Sequence, residues 1–216
     1  LLDFLKDREG ECGIIYCLSR KITEEAATHL NDKGFTALAY HAGMDAETRV
    51  ANQNRFLAER GIIIVATIAF GMGIDKADVR FVFHTDIPAS IEAYYQEIGR
   101  AGRDGRAAEA HMLFGLGDMR MRRMFIEDED SEPERKRREH KRLDALIAFC
   151  ESPGCRRRVL LTHFGEQPEP CGNCDMCLNP VELADGTAQA QLALNAVSAT
   201  GQRFGAAHII DVLRGG

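Results

Sequence analysis

Two continuous apolar runs, Gly13-Ile14-Ile15-Tyr16-Cys17 and Ile62-Ile63-Ile64-Val65-Ala66, constrain this chain more than anything else in it, and Val79 to His84, apolar but for Arg80 and His84, is a further strand candidate. A strand with one wet face alternates polar and apolar residues. These runs do not, so each is expected to be buried on both faces. Phe35 to Tyr40 and Ala107 to Phe114 complete the strand candidates. Between them lie segments with helical spacing. Lys21 to Lys33 carries Ile22, Ala26, Ala27 and Leu30 and is stopped by Gly34. Asp45 can cap a helix reaching Glu59 or Arg60, with Val50, Phe56 and Leu57 as its apolar residues, and Ser90 can cap one through about Arg100. The alternation predicts an α/β fold, a parallel sheet with helices on both faces. Ligands on such sheets bind outside the carboxyl ends of the strands, which points to the loops after Cys17, Ala66 and His84.

From Gly117 the pattern changes. Residues 117–165 read as helix throughout. Ser131-Glu132-Pro133-Glu134 has the form of a capping box with Pro in the first turn, and Leu143, Leu146, Ile147 and Cys150 form an apolar stripe. A shorter helix over Cys155 to Phe164 leads into a Pro/Gly/Cys loop, Gln167 to Pro180. After Asp185-Gly186 come two amphipathic segments, about 188–199 and 206–213. The expected division is a sheet domain over residues 1–117, a helical module over 118–182, and a tail over 183–216 too short for a core of its own. No apolar stretch approaches the roughly 18 residues of a membrane span, and no signal peptide is visible. The absence of an initiator Met suggests a piece of a longer protein. The net charge of −6 argues against a general nucleic-acid binder but leaves room for a local basic groove.

Chemistry concentrates in a few places. In Gln96-Glu97-Ile98-Gly99-Arg100-Ala101-Gly102-Arg103, a continued helix would put Arg100 and Arg103 on one face. Guanidinium groups suit bidentate contact with phosphate oxygens. After the central strand, Ala66 to Asp75 contains Gly71 and Gly73, whose backbone amides can be exposed, Thr67, suited to a backbone phosphate, and Asp75, suited to a ribose hydroxyl. Ser19-Arg20 and His41-Ala42-Gly43 follow the first two strands and, taken alone, read equally as turns or caps. The seven cysteines include Cys155-x15-Cys171-x2-Cys174-x2-Cys177, a four-thiolate set that can close a tetrahedral shell around Zn²⁺. An iron–sulfur cluster is the rival, but its ferredoxin-type run needs a further cysteine where Val181 stands. Cys12, Cys17 and Cys150 read as core. An odd cysteine count with one tight cluster fits a reducing cytosol better than a disulfide scaffold. The basic residues Arg120, Arg122, Arg123, Arg135 to Arg138, Lys141, Arg142 and Arg156 to Arg158 read mainly as a solvated face, with Arg156 to Arg158 the best candidates for phosphate contact.

These motifs in this order resemble the second motor domain of superfamily 2 helicases. The wording Ala69-Phe70-Gly71-Met72-Gly73, together with Gln96 through Gly105 and the cysteine module, resembles the RecQ family of DNA helicases. The resemblance implies a RecA-like sheet domain, a helical zinc module with one structural zinc, and the first helices of a winged-helix domain. It implies Arg103 as an arginine finger with Arg100 beside it, and Gln96, Asp75 and Gly73 near the nucleotide. Ser19, Arg20, His41, Gly43 and Thr67 would face DNA, and Cys155, Cys171, Cys174 and Cys177 would bind the metal. It further implies ATP and Mg²⁺ in the parent protein and 3′ to 5′ movement on single-stranded and forked DNA. Repair and recombination would be its setting, in the bacterial cytosol at the nucleoid. The first motor domain and a single-strand-binding protein would be its partners. No Gly-x-x-x-x-Gly-Lys-Ser/Thr loop and no Asp-Glu-x-His motif occurs in the 216 residues, so the chain alone is not expected to hydrolyse ATP. Duplex binding is expected to be weak, because the tail lacks the rest of a winged helix. The alternative is a non-catalytic zinc module that binds DNA or protein. An RNA helicase is disfavoured by the cysteine set.

Overall fold

The apolar runs form the centre of one five-stranded sheet. The computed structural model describes residues 1–67 and 75–215. The strands are β1 (Cys12–Tyr16), β2 (Thr36–Tyr40), β3 (Ile62–Ala66), β4 (Val79–His84) and β5 (Glu109–Met112). Their order is β2-β3-β1-β4-β5, and every pairing is parallel. β1 and β3 are buried along their whole length, as continuous apolar runs require. α1 (Leu2–Leu5) and α2 (Arg20–Asp32) cover one face through Leu5, Ala27 and Leu30, which pack on Ile15, Ile63, Val65, Phe81 and Phe83. α3 (Ala46–Ala58) covers the other with Phe56 against Ile14, Ile62, Ile64 and Val82. Gly13 is a packing requirement. A β-carbon there would lie 2.0 Å from the Phe81 ring, next to the register shift where β1 meets β4.

Asp45 caps α3 as expected, accepting from the Thr48 amide at 2.8 Å, and Ser19 caps α2 by accepting from Ile22 at 3.2 Å. Only Phe56 of the expected apolar trio on α3 is buried. Val50 is 54% exposed and Leu57 37%, because α3 lies over the edge of the sheet and presents a narrow stripe to it. Ser90 caps α4 (Ile91–Ile98) through the Ala93 amide, but the helix stops two residues short of Arg100, with Gly99 at its C-cap. Arg100 and Arg103 therefore do not share a helix face. The next turn instead docks on the start of β4, where Gly102 N donates to Val79 O at 3.0 Å.

The remaining elements are α5 (Leu116–Asp128), α6 (Pro133–Glu151), α7 (Arg156–His163), α8 (Asp175–Leu178), α9 (Thr187–Ala199) and α10 (Ala206–Leu213). The stripe expected on α6 is real. Leu143, Leu146, Ile147 and Phe149 are buried, joined by Leu160 of α7. Their partners are Ile87, Ile91 and Tyr94, so α6 and α7 share one core with α4 of the sheet domain. Burying each such side chain contributes about 1.5–3 kcal/mol. The expected Ser131 capping box does not form: Glu132 is the N-cap of α6 without a side-chain cap bond, and the Ser131 Oγ has no hydrogen-bond partner among the described residues. The fixed φ of Pro133 starts the helix in its place. The Cys-rich loop contains the short α8, a single turn too brief for periodicity to announce. α9 and α10 pack on each other around Ala196 and Ile209, leaving Leu192, Leu194, Phe204 and Ile210 exposed.

Candidate functional site

The candidate residues divide between opposite edges of the sheet. Ser19, Arg20, His41, Gly43 and Thr67 follow the carboxyl ends of β1, β2 and β3. That edge is tied together by main-chain bonds from Cys17 N to Ala66 O, Thr67 N to Tyr40 O and Thr85 N to Tyr16 O. Asp86, unremarked in the sequence, reinforces it by accepting from Leu18 N at 3.1 Å and the Thr85 hydroxyl at 2.7 Å. Arg20 is exposed, and its side chain lies against Gly43, where a β-carbon would sit 3.0 Å from Arg20 Cδ and Nη1. His41 is not presented to solvent. Its ring is 3% exposed, Nδ1 accepts from Gly43 N at 3.2 Å, and Nε2 meets Glu24 Oε1 at 2.9 Å. With Nδ1 accepting, Nε2 carries the proton toward Glu24. His41 therefore shapes the loop that offers Gly43.

α4 carries the chain away from this edge. Gln96 is exposed on it. Arg103 Nη1 meets Asp75 Oδ1 at 2.9 Å, its Nε donates to Gly99 O at 3.3 Å, and both Arg103 and Asp75 are accessible. Asp75 was expected with the loop after Ala66 at the carboxyl edge. It lies instead just ahead of β4, at the amino edge, paired with Arg103. Gly73 lies outside the described residues. Arg100 is half-buried, and its Nε has no hydrogen-bond partner among the described residues. Beneath it, burial and the Glu97 carboxylate push the Tyr16 phenol far above its ordinary range, while Arg100 draws it down by charge and hydrogen bond. Glu97 also holds His84, with Oε2 2.7 Å from Nε2 and both groups buried. Neither Tyr16 nor Glu97 was legible as part of this site.

Cys155, Cys171, Cys174 and Cys177 bring their four sulfurs within 4.8 Å of one another. Tetrahedral zinc with bonds of about 2.3 Å needs sulfurs about 3.8 Å apart, so a small adjustment completes the shell. Backbone amides already point at the sulfurs: Cys171 N and Arg158 N at Cys155, and Arg156 N at Cys174, at 3.2, 3.5 and 3.3 Å. Such donors stabilise thiolate. Burial opposes ionisation of Cys155, yet the Cys171 and Arg158 amides and the Cys171 and Cys177 side chains draw it down to about 6. A closed shell of four thiolates leaves no position for water, which marks a structural metal. Cys150 stands apart on the α6 stripe, and burial pushes its thiol up to about 11. Cys12 and Cys17 are buried in the sheet domain.

The basic residues differ in what they contact. Arg156 is not a phosphate ligand in waiting. Its Nη1 donates to the carbonyls of Phe149, Cys150 and Ser152 at 2.9–3.1 Å, and its Nε and Nη2 pair with Asp175 at 3.0 Å. Arg122 reaches from α5 to Ile87 O at 2.8 Å, and burial lowers its pKa. Arg157 and Arg158 do remain exposed.

Family models agree with this anatomy. A helicase conserved C-terminal domain matches residues 1–105, a RecQ zinc-binding domain 116–178, and an RQC domain 180–216. The ATP-dependent DNA helicase RecQ of Haemophilus influenzae is 46% identical over 216 residues, all of this chain and 35% of that protein. That of Bacillus subtilis is 37% identical over 99% of the chain and 36% of its own length. The mouse (Mus musculus) ATP-dependent DNA helicase Q5 is 41% identical over 80% of the chain and 18% of its own length. The chain thus spans about a third of the bacterial relatives it matches. It belongs to the RecQ helicase family, and corresponds to the part that joins the helicase C-terminal domain to the zinc-binding and RQC domains.

Proposed function

We propose that this chain is the second motor lobe of an ATP-dependent DNA helicase that moves 3′ to 5′ and serves repair and recombination in the bacterial cytosol at the nucleoid. The lobe would occupy residues 1–117, its zinc module 118–182, and the opening of a winged-helix domain 183–216. The observation that carries the reading is the separation of two sets of groups by one helix. Arg103 and Asp75 stand accessible at the amino edge of the sheet, 2.9 Å apart. The loops of Arg20, Gly43 and Thr67 stand at the carboxyl edge. α4 runs from Ser90 beside the second set to Gly99 beside the first.

In this reading the first motor domain of the same parent supplies the phosphate loop and the Mg²⁺-binding acid. The second lobe supplies charge stabilisation from outside. Arg103 reaches the γ-phosphate, a contribution of about 10³–10⁵ in rate for such a finger. Without nucleotide it rests on Asp75. With ATP in the cleft, Asp75 turns to the ribose hydroxyls, which releases Arg103 to the phosphate, and Gly73 is a further candidate for nucleotide contact. Arg100 follows the end of α4, its guanidinium donating to the Tyr16 phenol. Gln96 on the exposed side of α4 links nucleotide state to the DNA edge. There Ser19 and Thr67 present hydroxyls, Arg20 a guanidinium, and His41, by accepting from the Gly43 amide, holds the Gly43 turn against the DNA backbone. Single-stranded and forked DNA are the substrates, and a single-strand-binding protein is a candidate partner. The zinc is structural. Its binding energy supports a module with a small core of its own.

The direct test is strand separation by the parent protein on duplexes with a single-stranded tail at either end. Unwinding that needs ATP and a 3′ tail supports the reading. Unwinding from a 5′ tail, or none from either, overturns it.

A further inference from the structure

The zinc module and α4, the helix that leads to Arg100, meet at the Glu92 carboxylate. Glu92 lies in the first turn of α4. Its Oε1 receives His163 Nε2 at 2.9 Å, from the last turn of α7, and its Oε2 faces Arg142 Nε at 3.5 Å, from α6. Arg142 also donates to Ser90 Oγ at 3.3 Å, the group that caps α4, and its far side is held by Glu139 at 3.2 Å. Beside this cluster the Tyr95 and Phe164 rings pack at 4.8 Å. A carboxylate in the first turn is favoured by the helix dipole, so α4 presents the fitting charge at the point of contact.

α7 is the connection. It begins directly after the metal ligand Cys155, which is its N-cap, and ends at His163. Arg156, its first residue, fastens that start to the end of α6 and to Asp175. α7 is therefore a strut of about 12 Å between the metal shell and Glu92. On α4, Gln96 is one turn beyond Glu92 on the same side of the helix, and Arg100 follows the helix end.

We propose that Glu92 is a positioning residue for the motor reaction. It takes His163 and Arg142 from the zinc module, fixes the placement of α4, and through α4 sets Gln96 and Arg100. The zinc module thereby serves the ATP site. This rests on the proposed role of Arg100 and Arg103. Glu92 touches neither nucleotide nor DNA in this account and acts only through the helix.

The experiment uses the zinc-loaded parent protein and its DNA-stimulated ATP hydrolysis. Glu92→Gln keeps the shape and removes the charge, His163→Gln removes the partner without altering α4, and Arg103→Ala tests the underlying reading. Glu92→Gln is expected to lower kcat by about tenfold or more with KM for ATP and zinc content unchanged, since small displacements of catalytic groups have effects of that size. His163→Gln shows the same defect, the double variant is no worse than either single one, and Glu92→Asp recovers part of the rate. If Glu92→Gln stays within about twofold of the original kcat while Arg103→Ala is inactive, the positioning role is wrong and the finger stands. If Arg103→Ala is also active, the underlying reading falls and takes this one with it. Loss of zinc or of folding in both Glu92→Gln and His163→Gln makes the contact purely structural, which also overturns the proposal.

Discussion

Replacing Arg156 by Ala should unfasten the zinc module without a direct effect on DNA contact. The guanidinium serves four partners: the carbonyls of Phe149, Cys150 and Ser152, left unpaired where α6 ends, and the Asp175 carboxylate beside Cys174. Hydrogen bonds to a charged group contribute about 1.5–3 kcal/mol each, and a buried acceptor left alone costs about 1–3 kcal/mol. Water can reach the outer partners, since the Asp175 side chain is 56% exposed. The net loss should then be about 2–4 kcal/mol, the worth of one or two such bonds. Lys should not restore it, because one ammonium cannot match a planar fork serving three carbonyls and a carboxylate. The assay is urea unfolding of the zinc-loaded chain, with the rate of zinc transfer to a chromogenic chelator measured in parallel. Both should worsen together, for Ala and for Lys. Unchanged unfolding and zinc release, combined with a loss of single-stranded DNA affinity, would refute the reasoning and return Arg156 to the phosphate-contact role that its place in an Arg-Arg-Arg run suggests.

Acid should loosen the contact between α4 and the zinc module. Burial works against the Glu92 carboxylate, but Ser90, His163, its own amide and Arg142 outweigh it and hold its pKa at about 2, below the unfolded value near 4.5. Its stabilisation is therefore complete above the unfolded pKa and is lost as pH falls toward 2. For a solvent-screened pair this is about 1–2 kcal/mol, visible as an acid-side drop in unfolding free energy that Glu92→Gln removes. Gly13→Ala should destabilise the sheet domain by about 1–3 kcal/mol in chemical denaturation, since the new methyl meets the Phe81 ring at 2.0 Å. The purified chain should be colourless with one zinc by elemental analysis, and chelation should raise amide exchange in α7 and α4. A brown, iron-containing protein would contradict the four-thiolate zinc reading.

Much of the fold was legible because its signals are local. Ile62 to Ala66 can only be a strand buried on both faces, and Cys171, Cys174 and Cys177 are close in space because they are close in sequence. Val50 and Leu57 misled because helical periodicity gives a direction but not the width of what lies beneath it, here the margin of a sheet. The Arg100/Arg103 geometry is not legible from helical spacing, because Gly99 ends α4 and the following turn is captured by the start of β4. His163 and Glu92 are 71 residues apart, and nothing local in either announces the other. A run of arginines shows charge but not partner, so Arg156, committed to backbone carbonyls, looked like its exposed neighbours Arg157 and Arg158.

The central claim is that Arg103 belongs to a catalytic cleft completed by another part of the parent protein. Steady-state ATP hydrolysis by the parent carrying Arg103→Ala, with saturating single-stranded DNA, tests it most directly. The account predicts a fall of about 10³-fold or more in kcat with single-stranded DNA affinity unchanged. Turnover within a few-fold of the unaltered protein would contradict it.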